Sequence, residues 1–285
     1  MIRSGPMKKS PIAQTICLIC FSFLITAFST VEAEQHHTKA YDQTHPTVFI
    51  TGSNRGIGLA LAKNYAIKGW NVIATCRSPE RADDLMELIG NYPNISIEKL
   101  DVTDLDQIES LAKKYKGIAI DVLINNAGIL GDVEAQTFGS LDQITFETVM
   151  AVNAYGPLKV AEAFSDNVAL SKQKKIVSMT SGLGSMQITG NSDRFYFYRM
   201  SKAALNMGVI AMNVSLKSKG VMSALIAPGM VDTQLLGASG YAGPGVITTD
   251  ESAIGLIEVI EEISPQSIRK NRGKATNYNK GIIPW

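Results

Sequence analysis

The feature that most constrains the fold of this chain is a regular alternation of two hydrophobic patterns after residue 46. Short apolar runs rich in β-branched residues are separated by longer stretches in which apolar residues recur with a helical period, such as 56–68 and 104–116. The short runs are TVFIT, NVIAT, ISIEKL, IDVLIN, KIVSM and MSALIA. This alternation predicts an α/β fold in which a doubly wound parallel sheet carries helices on both faces. Because no linker-like break interrupts it, we expect residues 46–285 to form one domain.

Composition excludes several classes of function. The 285 residues are 45% hydrophobic and 19% charged, which is enough to bury a large core. A formal net charge of +1 at pH 7, without a dense basic run, argues against a nucleic-acid partner. All three histidines precede the first predicted strand, and Cys76 is the only cysteine after the N-terminal segment. We therefore expect neither a metal site nor a histidine-based triad within the fold.

The N-terminal segment has the composition of an export signal. Basic residues precede a charge-free apolar run over 10–31, and a VEA motif ends at Ala33 as a cleavage site would. Residues 1–33 are interpreted as a signal peptide or, since about 20 apolar residues span a bilayer, as a membrane anchor. Residues 34–45 are expected to form a polar linker. A cleaved signal peptide and a membrane anchor both place the domain outside the cytoplasm, and membrane contact is expected only through the apolar run 10–31. The alternative is a cytoplasmic protein.

The stretch TGSNRGIG, residues 51–58, follows the first predicted strand directly and opens a helix. Gly52 permits a tight turn, Gly56 lets the backbone approach a ligand, and Gly58 allows the helix to pack closely on the sheet. The free N–H groups at the start of the helix favour a negatively charged ligand. We interpret this turn as a cradle for the pyrophosphate of a dinucleotide, although a glycine-rich turn can also be purely structural.

The end of the second predicted strand bears on the choice of dinucleotide. Cys76 and Arg77 stand where a site that prefers NAD would carry an acidic residue for the ribose hydroxyls. Arg77 and Arg55 offer two planar guanidinium groups to a 2′-phosphate, which favours NADP(H). The alternative is that Arg77 is a solvated residue ahead of a helix that Ser78 caps and Pro79 begins.

The stretch FYFYRMSK, residues 195–202, contains two tyrosines, of which only Tyr198 lies four positions before a lysine. Residues four apart lie one above the other on a helix, so Lys202 can stand beside Tyr198 but not beside Tyr196. An ammonium group near a phenol stabilises the phenolate, so we expect a lowered pKa for Tyr198. Tyr198 is the predicted proton donor to a carbonyl oxygen, whereas Tyr196 is expected to pack or line the pocket.

A hydroxyl that could hold the same oxygen follows the predicted strand KIVSM. Ser181 lies there at the carboxyl edge of the sheet, where open α/β folds bind ligands. A neutral hydrogen-bond donor at this place would stabilise the charge that develops on a carbonyl oxygen as it accepts a hydride. Ser178 and Thr180 are the alternatives.

Taken in order, the motifs resemble those of the classical short-chain dehydrogenase/reductase family. They are TGSNRGIG, LDVTD, INNAG, VNAYG, VSMTSG, the Tyr198/Lys202 pair and APGMVDT. The resemblance covers residues 46–285, and TGSNRGIG, TCRSPE and the ending NYNKGIIPW are similar to the C-factor and sniffer-type carbonyl reductases. It implies a Rossmann-type sheet and an NADP(H)-dependent enzyme that interconverts a small-molecule aldehyde or ketone and an alcohol.

The resemblance also implies roles for single residues. The family pattern selects Ser181, which precedes a glycine, and adds Lys202 as a partner of the ribose hydroxyls. Together with water near Asn153, Lys202 would pass protons to Tyr198. The implied catalytic residues are therefore Ser181, Tyr198, Lys202 and Asn153.

The same family pattern implies a set of cofactor contacts. Asp101 would contact the adenine, Asn126 would brace the sheet edge beneath the cofactor, and Thr233 would touch the nicotinamide end. The cofactor-binding residues are expected to be Gly52, Asn54, Arg55, Gly56, Ile57, Gly58, Arg77, Asp101, Val102, Asn126, Ala127, Gly128, Tyr198, Lys202, Pro228, Gly229, Val231 and Thr233.

Two stretches limit what the resemblance says about the substrate. The interval from Ser181 to Tyr198 is longer than the commonest family spacing, and the glycine-rich stretch after Thr233 fits a mobile flap or a disordered surface loop. A fold does not fix a function, so a cofactor-binding signalling or interaction protein is the alternative to an enzyme. A homodimer and a homotetramer both stay open.

Overall fold

The computed structural model describes residues 44–188, 190 and 193–285. The predicted signal or anchor over 1–33 and nearly all of the predicted linker over 34–45 lie outside the described residues. Within the described ranges, no helix has both the length and the apolar character that a bilayer crossing requires.

The core of the fold is a mostly parallel sheet with the strand order β10-β9-β6-β5-β4-β1-β2-β3. A separate two-stranded sheet pairs β7 with β8. Only β10 runs antiparallel to its neighbour, β9. The strands are β1 (Thr47–Thr51), β2 (Asn71–Cys76), β3 (Ile95–Lys99), β4 (Val122–Asn125), β5 (Lys175–Met179), β6 (Met222–Ala227), β7 (Met230–Val231), β8 (Val246–Ile247), β9 (Ala275–Asn277) and β10 (Ile282–Ile283).

Helices cover both faces of the large sheet. The α-helices are α1 (Gly56–Ile67), α2 (Asp83–Asn91), α3 (Leu105–Lys114), α4 (Gln143–Met150), α5 (Gly156–Leu170), α6 (Tyr196–Ser215), α7 (Gln234–Ala238), α8 (Thr249–Glu261) and α9 (Pro265–Asn271). Side chains alternate along β1, so Ile50 packs with the cluster formed by α1, α2 and α8, whereas the Phe49 ring lies 4.6 Å from the Phe164 ring of α5. The sheet is therefore buried on both faces, as its continuous apolar strands require.

The predicted doubly wound α/β architecture is confirmed. The apolar runs KIVSM and MSALIA coincide with β5 and β6, and the helical stretch 56–68 becomes α1. The antiparallel pair of β9 and β10 was not predicted, because strands of three and two residues are too short to show a period. Cys76 is a buried free thiol at the end of β2.

Candidate active site

A cleft of about 1440 Å³ lies at the carboxyl ends of β1, β4, β5 and β6. It is lined by all the residues predicted to bind the cofactor and by three of the four predicted catalytic residues. Asn153 is the exception, since it is fully buried behind the wall of the cleft. One cleft therefore joins motifs that are spread over most of the chain.

The glycine-rich turn after β1 forms the floor of one end of the cleft. Gly52 has a φ of +69°, and a Cβ added there would lie 2.9 Å from Cα of Ala127. A Cβ at Gly58 would overlap the carbonyl oxygen of Gly52 and lie 2.6 Å from Nδ2 of Asn126. The absence of these side chains lets the start of α1 approach the sheet, so its free N–H groups face the cleft.

Asn126 ties this turn to the end of β4. Its Nδ2 donates to the carbonyl oxygens of Thr51 and Gly52 at 2.9 and 3.0 Å. The hydroxyl of Thr51 accepts hydrogen bonds in return from the backbone N–H groups of Asn126 and Ala127, both at 3.0 Å. These bonds hold the two adjacent strand ends together, with Asn126 as the residue that joins them.

Arg55 and Arg77 are exposed on the rim of the same end of the cleft. Neither guanidinium makes an ion pair or a hydrogen bond with a described residue, so both are free to receive an anion. Ser78 precedes a short 3₁₀ turn beginning at Pro79, and its side chain does not cap that turn.

The other predicted cofactor contacts lie around the same space. A carboxylate oxygen of Asp101 accepts from the backbone N–H and the hydroxyl of Thr103, at 2.9 and 2.7 Å, which fixes the loop after β3. Thr233 caps α7 by accepting from the backbone N–H of Leu236 at 3.3 Å. Its Cγ2 would lie 3.5 Å from a Cβ at Gly56, so the start of α7 closes over the glycine turn.

Tyr198 lies in the first turn of α6 and is 7% exposed. Its phenol is hydrogen bonded to the side chain of Ser181. Burial raises the pKa of Tyr198 to about 12, and the bond to Ser181 opposes that rise. The expected lowering of this pKa by Lys202 is therefore wrong for the protein without a ligand, because desolvation by burial outweighs the hydrogen bond to Ser181. Tyr198 is consequently a neutral phenol at pH 7.

Lys202 is buried one helical turn after Tyr198, with its Nζ 5.7 Å from the centroid of the Tyr198 ring. The ammonium donates to the carbonyl oxygen of Met179 at 2.9 Å, which anchors it to the end of β5. Burial lowers the pKa of Lys202 to about 8. The predicted pairing along the helix is confirmed in its geometry, and Lys202 still carries a proton at neutral pH.

The three hydroxyl candidates after β5 have different surroundings. The hydroxyl of Ser178 accepts from Nδ2 of Asn125 at 3.3 Å, and that of Thr180 donates to Oδ1 of Asn206 at 2.6 Å. Both side chains are buried, and each hydroxyl is engaged in a hydrogen bond away from Tyr198. Ser181 accepts from the backbone N–H of Leu183 at 3.2 Å and meets Tyr198 in the cleft. The choice of Ser181 therefore agrees with the geometry.

Asn153 lies in a π-helical turn, Ala151–Tyr155, between α4 and α5. Its Oδ1 accepts from the backbone N–H of Ile129 at 2.9 Å, and its Nδ2 donates to the carbonyl oxygen of Ile129 and the hydroxyl of Ser201 at 2.8 and 3.0 Å. A Cβ at Gly128 would lie 3.3 Å from Oδ1 of Asn153 and 3.6 Å from Nζ of Lys202. The carboxamide thus links the loop after β4 to the helix that carries Tyr198 and Lys202.

The sequence did not indicate Gln136, whose side chain is fully buried in the 3₁₀ turn Glu134–Gln136. Its Oε1 accepts from the backbone N–H of Tyr198 at 3.0 Å, while its Nε2 donates to the carbonyl oxygens of Leu130 and Asp132 at 2.8 and 3.0 Å. Helix α6 begins after Phe195, which has a left-handed φ of 63° and offers no side-chain cap. Gln136 therefore supplies the missing acceptor at the start of this helix.

Tyr196 does not line the cleft. Its ring centroid lies 6.4 Å from that of Phe138, and the side chain is half-buried. Of the two outcomes expected for Tyr196, packing is the observed one.

Comparisons with known proteins agree with this geometry. The C-signal of Myxococcus xanthus is 33% identical over 167 residues, which are 58% of this chain and 93% of the relative. The NADPH-bound carbonyl reductase from chicken fatty liver superposes with a TM-score of 0.75 at 29% identity, covering 85% of this chain and 99% of the other. The carbonyl reductase Sniffer of D. melanogaster gives 0.73 at 28% identity, covering 85% and 100%.

The expected similarity to C-factor and sniffer-type proteins is confirmed by these relatives. The sequence pattern described as "short chain dehydrogenase" matches residues 46–241, from the start of β1 to the stretch that follows α7. The matched part contains the glycine turn, the buried Tyr198 with its Lys202, and Ser181. The chain therefore belongs to the short-chain dehydrogenase family.

Proposed function

We propose that the protein is an NADP(H)-dependent oxidoreductase that interconverts an aldehyde or ketone with the matching alcohol. The observation that carries the proposal is the buried, neutral phenol of Tyr198, bonded to Ser181, in the same cleft as the glycine turn. Two solved relatives named as carbonyl reductases, one of them described as NADPH-bound, support it.

The residues present fit a phosphorylated dinucleotide. A Cβ at Gly52 or Gly58 would fill the space in which the turn and α1 approach the sheet. The start of α1 faces this space and suits a pyrophosphate, and the exposed guanidinium groups of Arg55 and Arg77 suit a 2′-phosphate at the rim. The residue directly after β2 is Arg77 and not an acid that would repel that phosphate.

When bound, NADPH supplies the hydride that reduces the carbonyl carbon. Tyr198 donates its proton to the carbonyl oxygen, where negative charge develops, and the hydroxyl of Ser181 holds the same oxygen by a hydrogen bond. The ammonium of Lys202 stabilises the phenolate that remains on Tyr198. Asn153 holds the loop after β4 against α6, which keeps these groups in register.

Tyr198 is in the protonation state that carbonyl reduction requires. At pH 7 the phenol is protonated and ready to give its proton to a substrate oxygen. Oxidation of an alcohol needs the phenolate as a base, and burial of Tyr198 disfavours that charged form. We therefore expect carbonyl reduction to be faster than alcohol oxidation at neutral pH.

The experiment mixes purified protein and NADPH with a panel of aldehydes and ketones and follows the absorbance of the reduced nicotinamide. We expect NADPH to be oxidised only after a carbonyl compound is added. Tight NADPH binding without turnover on any carbonyl would contradict the proposal and favour a cofactor-binding signalling protein on the same fold.

A further inference from the structure

One guanidinium in the cleft has no role in the site described so far. Arg199 follows Tyr198 in α6 and lines the same cleft. Its Nε donates to the carbonyl oxygen of Arg194 at 2.8 Å, which fixes the side chain near the start of the helix. Its Nη1 is buried and has no hydrogen-bond partner among the residues that the structure describes.

A buried guanidinium nitrogen without an acceptor is unusual in a folded protein. The N–H group loses its hydrogen bond to water and gains nothing in return, so almost all such groups are paired. A lysine could relieve this by losing its proton, but the guanidinium group stays charged at any working pH. Arg199 therefore calls for an acceptor that the described residues do not supply.

The acidic side chains that line the cleft do not fill this place. Asp101 accepts from Thr103 in the loop after β3, and Asp250 forms an ion pair with Lys63 of α1 at 3.1 Å. Asp232 is exposed after β7, and none of the ion pairs among the described residues joins a carboxylate to Arg199. None of these three carboxylates therefore supplies an acceptor for Nη1 of Arg199.

The cleft that Arg199 lines also has an apolar wall near the start of α6. Leu130 and Phe195 form an apolar cluster with the ring of Tyr198, and Leu183 and Leu235 pack against it. The guanidinium of Arg194 lies 4.7 Å from the centroid of the Phe195 ring, which adds a second cation at the edge of that cluster. This half of the cleft combines a proton donor, an apolar wall and positive charge.

We propose that the carbonyl substrate carries an anionic group of the carboxylate class, which binds Arg199. The inference rests on the proposed function, because it places the carbonyl group at Tyr198 and the anion beyond it. The planar guanidinium group presents its donors in a fork that matches the two oxygens of a carboxylate. Arg199 is then a specificity-determining residue, and neutral aldehydes are poorer substrates than their acidic counterparts.

The test compares para- and meta-carboxybenzaldehyde with their methyl esters, which keep the aldehyde and the ring but lack the charge. We expect wild-type protein to reduce at least one acid with a higher kcat/KM than its ester. Arg199→Met should lower this acid-to-ester ratio at least tenfold, and Arg199→Lys should restore part of it because the charge returns without the fork. Arg194→Gln is the matched control, since it removes the same charge from the same cleft.

The change of the acid-to-ester ratio in the two variants shows whether Arg199 binds the carboxylate. A smaller fall of the ratio in Arg194→Gln supports the contact with Arg199. Equal falls in both variants would mean that the overall field of the cleft, and not a bound carboxylate at Arg199, sets the preference. Equal losses on acid and ester in Arg199→Met, with an unchanged ratio, would show a structural role and overturn the proposal.

A binding measurement separates this inference from the proposed function. Benzoate and its neutral analogue benzamide are titrated calorimetrically into the protein with NADP(H) present. We expect benzoate to bind more tightly and Arg199→Met to abolish the difference. Turnover of no aldehyde would contradict the proposed function alone, whereas benzoate that binds no more tightly than benzamide would overturn the anionic site.

Discussion

The two halves of the cleft are built in different ways. In the cofactor half, backbone atoms form the wall, because Gly52 and Gly58 lie against neighbouring main chain and Asn126 bonds to carbonyl oxygens. In the substrate half, side chains from separate loops form it, such as those of Phe195 and Leu235. The comparison teaches that the first half tolerates almost no added atoms, whereas the second can be reshaped by exchanging side chains.

Tyr198 lies where the two halves meet, and its removal should have the largest effect. Tyr198→Phe keeps the packing of the ring but removes the proton donor, so we expect turnover to fall by about 100-fold or more with little change in NADPH affinity. Tyr196→Phe is the matched control, because its ring packs near Phe138 outside the cleft. Steady-state kinetics of both variants would contradict the assignment if the losses were equal.

One pair of glycine substitutions tests the contrast between the halves directly. Gly58→Ala places a Cβ against the carbonyl oxygen of Gly52, and we expect it to lower the free energy of unfolding by about 3 kcal/mol and to weaken NADPH binding. Gly182→Ala in the substrate half meets no atom within 4 Å and has no left-handed φ. Urea unfolding of both variants measures the difference; similar losses would mean that the two halves are equally tight.

Lys202 provides a test by pH in the protein without cofactor. Its folded pKa of about 8 lies below its ordinary value of 10.5, so the unfolded chain binds a proton more readily. Above pH 10.5 Lys202 is neutral in both states, and its titration costs the fold nothing. As the pH falls from 10.5 to 8, the unfolded chain takes up a proton that the folded protein does not, so the free energy of unfolding falls. Below pH 8 this loss of stability is constant. Lys202→Met removes this loss of stability, but it also removes the hydrogen bond to the carbonyl oxygen of Met179. We therefore expect the free energy of unfolding to rise by about 2 kcal/mol at pH 7.

The gain should shrink between pH 8 and pH 10.5, which urea unfolding at pH 7 and pH 10 would show. Tyr198 is present in both proteins, so its own titration above pH 10 cancels in the comparison. The same variant should lose most of its turnover, because the buried ammonium of Lys202 is needed for catalysis even though it lowers the stability of the fold. A variant less stable than the wild type at pH 7 would contradict this account of Lys202.

Arg77 tests the exposed rim of the cofactor half, where the smallest effect is expected. Arg77→Asp should weaken NADPH binding about tenfold and affect NADH far less, because an exposed ion pair is screened by solvent. Arg81→Asp makes the same change of charge outside the cleft and is the control. Dissociation constants for both cofactors check this, and wild-type protein that binds NADH more tightly would refute the choice of NADP(H).

The sequence predicted most of the sheet and the cofactor half because these depend on local patterns. KIVSM is an apolar run that shows its strand directly, and the glycines of 51–58 stand next to each other in the chain. Gln136 could not be predicted in the same way, since its contact with Tyr198 joins positions far apart in the chain. The π-helical turn at Asn153 likewise depends on bonds to Ile129 and Ser201 that no spacing shows.

The pKa of Tyr198 was predicted in the wrong direction for a related reason. Helical spacing shows that Lys202 is near, but it does not show how deeply the phenol is buried. In the folded protein the burial of Tyr198 raises its pKa more than the bond to Ser181 lowers it. Desolvation depends on every element packed around a group, so it becomes visible only when the loops after β4, β5 and β6 are in place.

The central claim is that one cleft brings NADPH and a carbonyl compound together for direct hydride transfer. The most direct measurement uses NADPH deuterated at both C4 positions, an aldehyde that the protein reduces, and mass spectrometry of the alcohol. We expect one deuterium on the carbinol carbon of every product molecule and the hydroxyl proton from solvent. Alcohol without deuterium at that carbon, or labelled NADPH that stays intact while the aldehyde disappears, would contradict the claim.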